Sequence, residues 1–259
     1  MASFIISTDV TTQQSLTGLE AGILTQNGSI AVLGLEGIAA IGTSHDLVIN
    51  GTVASTVIAI NATCDNLDLV IGAQGNILSA GSHGLYANVA SYTEVVNNGT
   101  ISSAQNIGVG LFATDGSARH TLVNTGTISG EDYGVEIEAR GLTSTISNSG
   151  LIAGGDSGIV AGQGTDAVLE VWNTGTITGS DYSFVGNFDD GSGTSSDQVH
   201  NAGLMQGDIL LQSGDDLYDG IGGLVLGTVD GGAGNDTLIG GNDTEVFLGG
   251  DGEDQIRGR

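Results

Sequence analysis

Proline is absent from the 259 residues, cysteine occurs once and aromatic side chains make up only 4%. Lysine is missing too, so four arginines stand against 30 Asp and Glu, and the formal net charge is −26. A chain this poor in cations cannot assemble a patch that neutralises phosphates, which excludes nucleic acid and anionic membrane surfaces as partners. The lone Cys64 rules out an intrachain disulfide. So few aromatics argue against a thick globular centre and for thin aliphatic layers, as in a solenoid. No apolar run reaches the ~18 residues of a membrane-spanning helix, so no membrane insertion is expected. The opening stretch MASFIISTDVTTQQ lacks the basic and apolar regions of a cleaved secretory signal. Export is therefore expected to follow a route that reads no N-terminal signal.

What is abundant is glycine, 46 residues, in a chain that is still 39% hydrophobic. Glycine without proline signals many repeated turns, and this apolar content argues against disorder. Self-similarity is plain: Gly28-Ser29-Ile30, Gly51-Thr52-Val53, Gly75-Asn76-Ile77, Gly99-Thr100-Ile101 and Gly126-Thr127-Ile128 recur along the chain. The series continues through Gly150-Leu151-Ile152, Gly175-Thr176-Ile177, Gly203-Leu204-Met205 and Gly227-Thr228-Val229, with glycines 23, 24, 24, 27, 24, 25, 28 and 24 residues apart. Each period holds three strand-length segments of alternating polarity and no helical periodicity. Three short strands per ~24 residues describe one coil of a parallel β-helix, right-handed by the usual preference, whose coils stack at ~4.8 Å. The alternation turns Ile101, Ile128, Ile152 and Ile177 inward as one column.

Asn97, Asn124, Asn148, Asn173 and Asn201 each lie two residues before a repeat glycine. Five asparagines are thus expected to stack at one corner as a structural ladder, their amides hydrogen-bonded along the rod. The longest period carries the extra loop Phe188-Asp189-Asp190-Gly191-Ser192-Gly193-Thr194. Asp189, Asp190 and Asp197 near it could hold a cation, although a solvated acidic loop is the plainer reading.

From Gly207 onwards eleven acidic residues face only Arg257 and Arg259. Gly231 to Ile239 and Gly249 to Arg257 both match the nonapeptide G-G-x-G-x-D-x-U-x, where U is a large apolar residue. Gly240 to Leu248 lies between them in register, but has Asp243 for the glycine of the fourth position and Glu245 for the aspartate of the sixth. Gly214-Asp215-Asp216-Leu217-Tyr218 reads as an isolated half-repeat. Glycines allow tight turns that bring carbonyl oxygens together, and one carboxylate per turn completes an oxygen cage suited to Ca²⁺ rather than Mg²⁺. Zn²⁺ is disfavoured because neither His nor Cys is nearby.

These nonapeptides resemble the repeats-in-toxin, or haemolysin-type, calcium-binding proteins of Gram-negative bacteria, and the preceding Asn-x-Gly-Thr-Ile coils resemble bacterial surface β-helices. The resemblance implies calcium around Gly232, Gly234 and Asp236 and around Gly250, Gly252 and Asp254. Gly241, Asp243 and Glu245 are the corresponding positions of the divergent repeat, with Asp216 as an additional candidate. It also implies type I secretion and folding triggered by extracellular calcium. The expected organisation is a β-helix over residues 1–206, a transition coil over 207–230 and a calcium-binding β-roll over 231–259.

Catalysis is not expected. A β-helix acting on uronates needs a base and cations, and the chain lacks lysine. His45, His83, His120 and His200 are scattered without a repeating carboxylate partner and read as surface or corner positions. Gly155-Asp156-Ser157-Gly158 falls at a repeat corner and only superficially resembles a nucleophile loop. The leading expectation is a secreted structural or adhesive solenoid at the cell surface, in a matrix or in a filament, self-associating end to end. A polysaccharide-binding or polysaccharide-modifying protein is the alternative. A third reading, ice binding through outward Thr and Ser, is weakened where Leu151, Ala153, Leu204 and Gln206 break the rank.

Overall fold

A computed structural model of the chain describes residues 2–114, 118–139, 141–163, 167–186, 195–241 and 243–258. The loop at Phe188 to Thr194, including Asp189 and Asp190, lies outside the described residues. Among the described residues no helix occurs, and 28 strands pair in parallel with strands of neighbouring coils, most of them with one coil before and one after. The protein is a β-solenoid of about nine turns.

Three aliphatic columns fill the interior. The first runs Ile30, Val53, Ile77, Ile101, Ile128, Ile152, Ile177, Met205 and Val225, each paired with the next. All nine are buried. A second column passes from Ile38 through Ile60, Leu85, Val109, Val135 and Ile159 to Phe184 and Ile209. The third follows Leu47, Leu69, Val95, Leu122, Ile146, Val171, Val199, Tyr218 and Leu238. Alternation sends every second side chain inward, so three such sides enclose a core one residue deep.

One sequence landmark needs correction. Met205 pairs with Val225, whereas Val229 pairs with Ile209 on another side. The ninth repeat glycine is therefore Gly223, not Gly227. The cause is a shortened coil: after Gly207, whose φ of 109° turns the chain early, equivalent positions are 20 residues apart and then 18. Beyond Leu224–Leu226 the described coils have two strands instead of three, Thr228–Ala233 with Thr237–Ile239 and Val246–Asp251 with Gln255–Arg257.

The early coils differ from expectation in another way. Ile38–Ile49, Ile60–Ile71 and Leu85–Asn97 each run as one strand around a corner, merging the second and third segments. Later coils break there, as at Gly141, whose φ is 68°.

His45 and His120 are not surface histidines. Both are buried in one corner column that runs His45, Leu67, Thr93 and His120 in register. The His45 ring nitrogens face the carbonyls of Glu20 and Ile41 at 3.3 and 3.1 Å. His120 likewise faces a backbone carbonyl, that of Glu138, at 3.1 Å from Nε2.

Two polar ladders and a candidate cation site

The three corners are sealed by different polar columns. At the first, Ser55, Ser79 and Ser103 stack in register and donate to the carbonyls of Leu35, Val57 and Ser82.

At the second stands the asparagine ladder. Asn97 Nδ2 donates to Asn124 Oδ1 at 2.8 Å, Asn124 to Asn148 at 2.8 Å, Asn148 to Asn173 at 2.9 Å and Asn173 to Asn201 at 2.9 Å. All five are buried. The second proton of each amide goes to a carbonyl of the next coil, from Thr127, Leu151, Thr176, Leu204 and Leu224 in turn. An amide carries both donors and an acceptor, so the side chains and the adjoining backbone satisfy the column without any group from solution. In the first coils the same position is aliphatic, Leu24, Ile49 and Ile71.

The third corner, which holds His45 and His120, continues through Ser144 and Leu169 to Asp197, Asp216, Asp236 and Asp254. At four of these rungs the backbone N–H donates to the side chain of the next. His120 reaches Ser144 Oγ at 3.0 Å, Asp197 reaches Asp216 Oδ1 at 2.6 Å, Asp216 reaches Asp236 Oδ1 at 2.9 Å and Asp236 reaches Asp254 Oδ1 at 3.1 Å. A parallel outer row runs the other way, each N–H donating to the coil before it, Asn235 N–H to Asp215 Oδ1 and Glu253 N–H to Asn235 Oδ1.

One oxygen of each carboxylate is thus committed to the backbone. The other is not: Oδ2 of Asp216 and of Asp236 is buried without a hydrogen-bond partner. Burial, then the facing Asp197 carboxylate, pushes the Asp216 carboxyl up to about 8. Burial, with Asp254 adding to it, also raises Asp236. Adjacent ionised carboxylates in such a place need protons or a cation.

The turns leading into these aspartates have one shape. Gly232 and Gly234 have φ of 95° and 145°, Gly250 and Gly252 have 97° and 139°, and Gln212 and Gly214 have 75° and 139°. A β-carbon on Gly234 would lie 1.7 Å from the Gly214 carbonyl, and one on Gly252 1.8 Å from that of Gly234, so oxygens of successive coils press on these glycines. Gly231 and Gly249 stand against Oδ2 of Asp236 and Asp254, where a β-carbon would approach to 2.4 and 2.3 Å. Carboxylate oxygens bordered by stacked carbonyls and by positions kept free of side chains are the donor set a hard cation takes.

Gln212 to Asp216 therefore forms a whole turn, in register with Gly232 to Asp236, although two non-glycine residues stand where the nonapeptide starts. Asp197 is a buried fourth rung in strand Ser196–Asn201 and does not belong to the acidic loop. Counting back from Asp254 by 18, 20 and 19 residues would have found both.

The divergent repeat is arranged differently. Asp243 is exposed, while Glu245 folds back to accept the Gly241 N–H at 2.7 Å and its Oε1 is buried without a partner. Burial, followed by Asp243, raises the Glu245 carboxyl. Glu245 thus stands across the roll from the aspartate ladder and abuts Gly220 and Gly240. Among the described residues no three His, Cys, Asp or Glu side chains converge. A cation here would lean on backbone carbonyls with one or two carboxylates.

The fold and this corner define a parallel β-solenoid with a neutral ladder in its body and an acidic one towards its end. Comparison with family models, curated proteins and solved structures finds no match.

Proposed function

We propose that the protein is a secreted, calcium-binding β-solenoid with a structural or adhesive role at the surface or in the matrix of a Gram-negative bacterium. The observation that carries this reading is the aspartate ladder, whose buried Asp216 and Asp236 leave Oδ2 unsatisfied beside glycine turns shaped for carbonyl ligation. Ca²⁺ is the cation that suits flexible oxygen sites, and weak ones fill only at extracellular concentrations. Cation binding would then couple to folding of the acidic coils, since the same carboxylates repel one another when bare.

Self-association is supported by strand edges that have no second partner among the described residues. Ala2–Ile6, Val246–Asp251 and Gln255–Arg257 each pair on one side only there. Open parallel edges are templates for a further strand.

The test is a calcium titration from chelator to ~10 mM, which spans weak extracellular sites, followed by circular dichroism, hydrogen exchange and light scattering. Residues from Gly207 onwards should gain protection as calcium binds, with larger assemblies appearing afterwards. Full protection of those residues in chelator, unchanged by calcium, would overturn the reading.

A further inference from the structure

The only tryptophan of the chain is 48% exposed, on a rod otherwise almost bare of aromatic groups. Trp172 lies on the outward face of strand Val168–Asn173, in register with His200 of the next coil and Asp219 of the one after. Its indole stacks on the His200 imidazole with ring centres 3.9 Å apart and planes 9° from parallel. His200 Nδ1 stands 3.9 Å from Asp219 Oδ2, and Asp219 is itself fixed by accepting the Ile221 N–H through Oδ1 at 3.1 Å. Beside this row opens a cleft of about 240 Å³, closed by Thr174, Ala202 and the exposed Ile221.

From this arrangement we infer that the cleft binds an uncharged hexopyranose unit of a polysaccharide. Sugar rings offer an apolar C–H face to an aromatic surface and hydroxyls at the rim. Trp172 supplies the first contact, with Ile221 and Ala202 as the apolar wall. His200 and Asp219 supply a donor and acceptor pair, which suits vicinal hydroxyls that both give and take hydrogen bonds. Charge decides against anionic sugars: the chain has a net charge of −26, and among the described residues no arginine lines the cleft. A small cation could also sit on an indole near a carboxylate. Such cations favour a cage of several aromatic faces, whereas here one face of the indole is already covered by the imidazole. The inference gives the adhesive role a ligand and rests on that reading for one feature. Asp219 and Ile221 belong to the first coil of the acidic segment, so calcium that orders this coil would complete the cleft.

Because Trp172 is the sole tryptophan, its emission reports on this cleft alone. The full chain is titrated with hexasaccharides of glucose, mannose and N-acetylglucosamine, with hexagalacturonate and choline as contrasts, in calcium and in chelator. An uncharged hexasaccharide should shift the emission. Calorimetry should show binding weakened at least ~10-fold in Trp172→Ala, as for a central aromatic anchor. Asp219→Asn should weaken it about tenfold, as for loss of a hydrogen bond to a charged acceptor. Circular dichroism of both variants should match the parent. The inference is overturned if no uncharged sugar binds at ~10 mM, the weak end of the affinity scale, if hexagalacturonate or choline binds equally well, or if Trp172→Ala binds unchanged. Sugar binding that is equal in calcium and chelator supports the cleft and counts against the calcium reading. Calcium binding by calorimetry without any sugar response sinks the cleft alone.

Discussion

Two ladders climb the same rod, and they differ by little more than one atom per rung. In the asparagine ladder each side chain gives to the next and receives from the previous one, so four bonds of 2.8–2.9 Å close a buried column with nothing left over. In the aspartate ladder the donors come from the backbone and the side chains only accept, leaving charge and spare oxygens inside. The difference teaches that a solenoid can copy one geometry along its length and still divide into a part complete in itself and a part that needs something from solution.

The sharpest way to break the comparison is to remove the cation. In chelator at neutral pH, residues from Gly207 onwards should lose hydrogen-exchange protection while the asparagine coils keep theirs, which mass spectrometry of peptic fragments resolves. Next in size, Asn148→Asp places an unpaired charge in the self-sufficient column. It should cost about 3–5 kcal/mol in urea denaturation, the penalty of a buried uncompensated charge.

The pH response should run in opposite directions in the two parts. The cation-free acidic coils hold the Asp216 proton up to about 8, whereas the unfolded chain gives it up near 3.8. They should therefore lose stability as pH rises between those values. Burial holds His120 down to about 4 from 6.5. The unfolded chain takes up that proton first, so the body of the rod should lose stability as pH falls from 6.5 to about 4. Exchange protection of the two parts, followed from pH 4 to 8 in chelator, checks both slopes; parallel slopes would contradict this account.

Asp216→Asn converts one rung to the other kind. In chelator it should stabilise the acidic coils by about 1–3 kcal/mol, the cost of leaving a buried group unsatisfied, while weakening their response to calcium. The smallest effect is expected from Ile152→Val, about 1 kcal/mol by thermal denaturation, because one methyl lost from the aliphatic column leaves both ladders intact.

Much of this was legible before any coordinates. The 24-residue period gives the coil, the inward Ile column follows from alternation, and Asn97 to Asn201 stand at a constant offset from glycine, so their alignment is a matter of counting. Asp236 and Asp254 are marked by the nonapeptide. In sequence Asp197 reads with the acidic loop instead of the ladder, and the Gln212 turn as half a repeat, because Gln212 takes a φ of 75° that local sequence does not announce. The corner position of His45 and His120 was legible but their burial was not, because corner burial depends on where a coil bends, and the early coils bend inside continuous strands. The Trp172 and His200 stack joins residues 28 apart across the longest coil, and such a pairing becomes visible only when every coil length is known.

The thinning of the coils has a mechanical consequence. Inter-coil hydrogen bonds run along the rod, so a pull along its axis loads them directly and peels one coil at a time. Up to Leu226 a coil hangs on three strands with a polar ladder beside them; beyond it, the described coils hang on two. Tension should therefore open the two-stranded acidic coils before the three-stranded ones, with a step in resistance at the coil that carries Val225. Those coils would serve as a fuse, yielding before the asparagine coils are strained.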